Sequence, residues 1–432
     1  MKIALMTAGA AGMYCGSCLR DNTLARALNA SGEDALLIPT YTPITTDEEN
    51  ASIDRVFFGG LNVYLKQRFS LFRHSPAFLE RALDSPKLLK LLTRLSGSTD
   101  ASKLGDLTIS MLKGEDGNQR AELETLIDWL ETDFRPDLVN LPNALFAGMA
   151  GRIKERLNVP VLCTLTGEDI FLEGLEEADR KAAIELTAKK CANIDGFIST
   201  SAYFADFMSV YLGIARDKIH VVPPGITVED FKERSMESSQ PTIGYLARIC
   251  PEKGLHELVD AFLKIKESGD APECRLRVAG YLGKRDEAYL DSLVQQIEDA
   301  GHIKDFECLG TVERTQKMQF LQSLDVFSVP TTYREPKGIF LLEAWAAGLP
   351  VVQPRHGSFP ELIETTGGGL LFDPGNAAEL AEKIVQLLKD QELRLGLAAS
   401  GSKRVRSEFT AARMAERTIE VYRAYLGLRE NR

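Results

Sequence analysis

The feature that most restricts the fold is a short apolar run, a turn and an amphipathic helix, repeated through two separate blocks of the chain. Lys2–Thr7 suits a strand buried on both faces, and a glycine-containing turn and a helix from about Ser17 to Ala30 follow it. Ala35–Pro39 is the next strand. Asp137–Leu141, a helix over Ala144–Leu157 and Val159–Leu165 form another strand–helix–strand unit, and Gly196–Thr200 and Lys218–Val222 close the block. The alternation restarts near Pro241 with Thr242–Leu246 as a strand and Leu255–Ser268 as a helix; Arg275–Ala279, Phe306–Leu309, Val326–Pro330 and Val351–Pro354 read as further strands. Such alternation specifies an α/β chain of doubly wound parallel sheets with right-handed crossovers.

Between residues 41 and 135 the alternation fails, and helical segments such as Pro76–Leu95 stand in its place. The polar stretch Phe231–Gln240 separates the blocks as a linker does. The expected organisation is a first domain over 1–235 with an irregular helical insertion at about 41–135, and a second over 236–408. A final helix, part of 409–432, is expected to return to the first domain. A length of 432 residues suits two such domains, with a ligand cleft between the carboxyl ends of their strands.

Composition excludes some partners. The chain carries 51 Lys and Arg against 62 Asp and Glu, a formal charge of −11, so bulk charge does not draw it to nucleic acid. No run approaches the roughly 18–20 apolar residues of a membrane-spanning helix. The apolar start before Cys15 imitates an export signal, but Gly9 and Gly12 interrupt it, and the expected location is cytoplasmic. An aromatic and basic cluster (Phe69, Leu71, Phe72, Arg73, His74, Phe78) raises a peripheral contact with the inner face of a membrane as the less favoured reading; packed core or lid is preferred. The seven cysteines are scattered, and only Cys15 and Cys18 have CxxC spacing. Zinc needs two further ligands in a matching cluster, so no metal is expected.

Three segments carry chemistry. The turn Gly9–Gly16 joins the first strand to the first helix, where small residues admit a ligand to backbone amides; neither the dinucleotide nor the Walker A spacing is met, and a plain tight turn is the alternative. The second block opens with Arg248 at the end of a strand and Lys253 at the mouth of the next helix. Two cations beside a helix N-terminus form a diphosphate grip; a solvated basic pair is the alternative. In the segment 331–344, Glu335 precedes a helix and Glu343 lies within it. A carboxylate at the first position can bond sugar hydroxyls, and one at the second a ribose diol, with the amides of Gly338, Ile339 and Phe340 facing phosphate or sugar. Glu343 sits in an apolar run, where a carboxylate needs a partner, so an internal ion pair is the alternative.

Taken together, GYLARICPEKG, VAGY, FECLGTVER, EPKGIFLLEAWAAGLPVVQPRHGSFPELI and GGGLLFDPGN resemble the retaining glycosyltransferases of family 4. KIALMT, TLTGED, FISTSAYF and IHVVPPGI resemble them more loosely in the first half. The resemblance implies a GT-B fold, two facing Rossmann-like domains with an inter-domain cleft, and transfer of a hexose-type sugar from a nucleotide donor, UDP- or GDP-linked, without a required metal or cofactor. It implies that Arg248 and Lys253 hold the donor diphosphate, that Glu335 stands beside the transferred sugar and that Glu343 binds the ribose. It further implies that Val312 recognises the base through backbone atoms and that Gly12 approaches the donor phosphate. Thr166, where the family commonly has His, is a candidate for the acceptor side with Glu168 and Asp169. The usual NG-x-D and E-G-F-G turns also differ, reading Pro224–Thr227 and Glu335–Gly338. A GT-B phosphorylase, a nucleotide-sugar epimerase and a non-catalytic sugar-nucleotide binding protein are the alternative functions. The acceptor and the oligomeric state are left open.

Overall fold

The computed structural model describes residues 1–9, 15–58, 104–232 and 240–430. The chain divides into two compact units, Met1–Pro223 with Ala412–Arg432, and Pro224–Ala411. Each is built on its own six-stranded sheet, and every pairing between neighbouring strands is parallel.

In the first unit the strands are β1 (Lys2–Thr7), β2 (Asp34–Pro39), β3 (Leu138–Leu141), β4 (Val161–Leu165), β5 (Gly196–Ser199) and β6 (Ile219–Val221). Their order is β2-β1-β3-β4-β5-β6, with Ile3 registered between Ala35 and Leu138. β3, β4 and β5 are buried along their whole length, which is why they read as continuous apolar runs. The helix Gly16–Ala30 instead buries a polar run, Arg20 to Thr23. The chain that follows β2 covers it: Asn22 accepts from the Ala51 amide at 2.8 Å and donates to the Glu49 carbonyl at 2.9 Å, and the Thr23 hydroxyl donates to Glu48. Within 104–134 the described α-helices are Gly105–Lys113 and Arg120–Trp129; the segment Pro76–Leu95 lies outside the described residues.

The final helix, Ala411–Glu430, packs on the first unit. Tyr422 is fully buried, and the Tyr425 hydroxyl lies 3.0 Å from His220 Nε2. The Tyr425 ring lies so close over Gly196 that a Cβ there would come within 2.2 Å of the phenol.

In the second unit the strands are β7 (Thr242–Leu246), β8 (Arg275–Ala279), β9 (Phe306–Cys308), β10 (Val326–Phe327), β11 (Val351–Pro354) and β12 (Gly369–Phe372), in the order β12-β11-β10-β7-β8-β9. β10 is shorter than its apolar run: after Phe327 the Ser328 amide still reaches the Gly244 carbonyl of β7 at 3.0 Å, and Thr331 then turns back onto Val329. β12 is an edge strand of four residues that begins on the last of three consecutive glycines, too short and too open to stand out in the sequence. The passage between units falls ahead of the polar stretch, since Ile226, Val228 and Phe231 already belong to the second core and Ile226 pairs with Thr410.

The chain winds from β7 to β9 in one direction and from β10 to β12 in the other. Adjacent β7 and β10 therefore form the switch point, where the loops leaving their carboxyl ends diverge and open a crevice.

Candidate active site

Lys253 and Glu335 meet at that switch point. Arg248 and Lys253 lie on the loop that leaves β7, and Tyr333 and Glu335 on the loop that leaves β10. The loops are joined by backbone: the Thr332 amide donates to the Glu252 carbonyl at 3.0 Å. Gly254 has φ +72° and presses on Pro330 so closely that a Cβ would lie 1.7 Å from its carbonyl oxygen. Only glycine permits that approach, and the approach carries Lys253 to the opposite loop.

The Lys253 ammonium donates to Glu335 Oε2 at 2.7 Å and also to the Tyr333 hydroxyl. The Tyr333 hydroxyl in turn donates to the same Glu335 oxygen. The ammonium lies over the rings of Tyr333 and Phe340, 4.9 and 5.2 Å from their centroids, so two aromatic faces add to its binding. The second carboxylate oxygen of Glu335 accepts from the amides of Lys337 and Gly338 at 3.3 and 3.4 Å, ahead of the helix Ile339–Ala346. Burial alone would raise the Glu335 carboxyl. The charges of Lys253 and Lys337 and the bonds from Lys253 and Tyr333 outweigh it and hold the group at about 2. Burial, reinforced by the Glu335 charge, pushes the Tyr333 phenol well up, so it remains a donor.

Arg248 is a more open cation. Its side chain is 39% exposed, with Nε 3.2 Å from Cys250 Sγ and a guanidinium nitrogen 3.9 Å from Glu252. Its charge acts on the Tyr333 phenol, so it belongs to the same electrostatic neighbourhood as Lys253 and Glu335. Behind them, Ser358 donates its amide to the Glu335 carbonyl at 2.8 Å, and His356 bonds the Thr331 carbonyl through Nε2 at 2.9 Å. Burial holds the His356 imidazole below its ordinary value, so it is neutral near pH 7.

Glu343 does have a partner. Its Oε1 accepts from Lys317 at 2.6 Å, and both side chains are about nine-tenths buried. Lys317 belongs to the helix Arg314–Gln322, which starts with a capping box between Glu313 and Gln316. Val312, half-buried against the second core, lies just before that cap, after Gly310 whose carbonyl accepts from Gly280 at 2.8 Å. Val312 and the Glu343–Lys317 pair are thus held by one short helix. Sequence reading did not single out Lys317 or Tyr333: Lys317 lies among exposed polar residues of a short helix, and only the tertiary pairing marks it.

In the first unit, Thr166, Glu168 and Asp169 follow β4. Glu168, an acceptor-side candidate, is engaged with backbone. Its carboxylate, buried to 4% exposure, accepts from the amides of Thr166, Gly167 and Ala144 at 2.7, 2.9 and 3.0 Å, which clamps the turn against β3. Thr166 is buried and Asp169 half-buried. Gly12 and the cluster from Phe69 to Phe78 lie outside the described residues. Cys15 is the N-cap of the first helix and Cys18 lies within its first turn; all seven cysteines are free thiols. The Cys18 thiol is pushed far up by its hydrogen bond with Cys15 and then by burial. Among the described residues, no group of three or more His, Cys, Asp and Glu is placed to hold a metal, and no helix is long and apolar enough to cross a membrane.

Comparison with known proteins covers both units. Residues 227–404 match the family described as Glycosyl transferases group 1, and residues 22–225 the Glycosyl transferase 4-like domain. A phosphatidyl-myo-inositol mannosyltransferase of Mycobacterium leprae is 29% identical over 206 residues, which span 46% of this chain and about half, 52%, of that relative. Sucrose-phosphate synthase from Thermosynechococcus elongatus superposes with a TM-score of 0.73 at 18% identity, over 99% of both chains. Anabaena HepE in complex with UDP-glucose superposes with a TM-score of 0.68 at 17% identity, over 98% of this chain and all of that one. At these identities the superpositions carry the fold alone.

Proposed function

The chain belongs to the GT-B glycosyltransferases of family 4, and on that premise we propose that it moves a hexose-type sugar from a nucleoside-diphosphate donor to an acceptor with retention of configuration. The observation that carries this reading is the cationic pair Arg248 and Lys253 beside buried, ionised Glu335 at the switch point of the second sheet. Cleaving the bond between sugar and phosphate builds positive charge at the anomeric carbon and negative charge on the departing diphosphate. Arg248 and Lys253 stabilise the leaving group, the larger of the two electrostatic requirements, because preorganised donors need no reorganisation when the charge develops. Glu335 bonds hydroxyls of the transferred sugar, and its fixed negative charge favours the positive anomeric centre. The departing phosphate accepts the acceptor's proton on the face it leaves, which keeps the configuration. Glu343 holds the ribose, and backbone around Val312 the base.

The UDP-glucose bound by the structural neighbour supports a nucleotide sugar as co-substrate. The test is a panel of UDP- and GDP-sugars with purified protein, read first by thermal shift and then by donor turnover. With the donor that registers, Lys253→Ala and Arg248→Ala are expected to lower kcat/KM by roughly 100- to 1,000-fold each. Full kcat/KM in both variants overturns the assignment.

A further inference from the structure

Glu335 occupies positions that a donor diphosphate also requires. One of its oxygens takes the Lys253 ammonium and the Tyr333 hydroxyl, and the other takes the amides of Lys337 and Gly338 at the start of the Ile339–Ala346 helix. Lys253 and the Gly338 amide are among the groups that the sequence assigns to anion binding, and the Lys337 amide adjoins them. An ammonium has three N–H groups; here one goes to a carboxylate oxygen and one to a phenol oxygen, with two aromatic rings against it. A second anion brought to the same ammonium meets the repulsion of the first, in a pocket where Glu335 is 3% exposed and water screens little.

We propose that Glu335 is the resident counter-ion of Lys253 in the free protein and that an arriving donor diphosphate takes its place on the ammonium. Tyr333 is the positioning residue of this exchange. Its hydroxyl bonds both members of the pair, so the carboxylate that gives up Lys253 keeps one fixed donor and stays aimed at the space beside the phosphate, where the sugar follows. Diphosphate recognition thereby delivers an oriented carboxylate to the sugar, and a nucleotide without its sugar binds against the resident anion and leaves the freed carboxylate without a hydroxyl partner.

The inference rests on the nucleotide-sugar reading above, and the experiment separates the two. UDP and GDP, each without sugar, are titrated into the full chain by calorimetry, with wild type, Glu335→Gln and Tyr333→Phe in parallel. The expected result is that Glu335→Gln binds the better of the two nucleotides at least tenfold more tightly than wild type, since the amide keeps the shape and drops the competing charge. Equal or weaker binding by Glu335→Gln, with wild type binding well, overturns the counter-ion exchange and leaves the donor reading in place. Absence of binding of either nucleotide to any of the three proteins overturns both. Tyr333→Phe keeps the test open if Glu335→Gln does not fold: nucleotide affinity is expected to hold or rise while kcat with the donor sugar falls about tenfold. A fall in nucleotide affinity with kcat unchanged marks Tyr333 as structural support only and overturns its positioning role.

Discussion

Single side chains in this protein are held in ionisation states that their surroundings, rather than their chemistry, dictate. Glu335 is the clearest case, at about 2 in the fold against an ordinary 4.5. The unfolded chain binds the proton first as pH falls, so the ionised carboxylate contributes stability that is complete above about pH 4.5 and is lost on acidification toward pH 2. The shift corresponds to about 3 kcal/mol. Glu335→Gln is therefore expected to flatten the acid limb of the stability curve between those values, as read by urea unfolding at a series of pH values. Asp21 moves the other way: burial raises it to about 6 despite the adjacent Arg20 guanidinium at 3.1 Å. Its stabilising form is the protonated one, and that contribution fades as pH rises from about 4 to 6. The residue types at 248, 253, 335 and 343 were legible as charge carriers in the sequence. Their partners were not: Tyr333 and Lys317 acquire meaning only because loops and helices distant along the chain bring them to a carboxylate.

At the scale of elements, the Ile339–Ala346 helix links the site to the second core. Its start lies beside Glu335, its middle carries Glu343, and its end carries Trp345, whose indole donates to the Gly368 carbonyl at 2.8 Å and lies against Gly401. The Glu343–Lys317 pair ties that helix to Arg314–Gln322. Lys317→Met leaves a buried carboxylate uncompensated and is expected to cost about 3–5 kcal/mol in urea unfolding. The double replacement Lys317→Met with Glu343→Leu is expected to recover most of that loss, since a buried ion pair exchanged for apolar groups of similar volume is often neutral. If Glu343 also holds a ribose, the same double variant loses nucleotide affinity while keeping its stability. Most strands were legible from their apolar runs, and β1, β7, β8 and β11 match their expected bounds residue for residue. The edge strand β12 and the early end of β10 were not, because one is a tetrapeptide and the other gives way, inside its apolar run, to the site's own loop.

Over the whole chain, its last helix belongs to the unit that begins it. Tyr422 is fully buried in the first unit, Tyr425 packs against β5 and β6, and Arg423 reaches Glu33 at 3.1 Å. Removing residues 412–432 is expected to strip hydrogen-exchange protection from β1, β5 and β6 while β7, β8 and β11 keep theirs; uniform loss across both sheets would contradict a two-unit division of stability. The sequence by itself determined the α/β class, the two parallel sheets and the identity of the charged residues, because apolar periodicity and glycine turns act over a few neighbouring residues. Only the tertiary structure decided which charges meet. Pairing Lys253 with Glu335, bringing the Ala144 amide to Glu168 and seating Lys317 under Glu343 all depend on chain segments whose approach is set by strand order and backbone contact, and neither leaves a local pattern in the sequence.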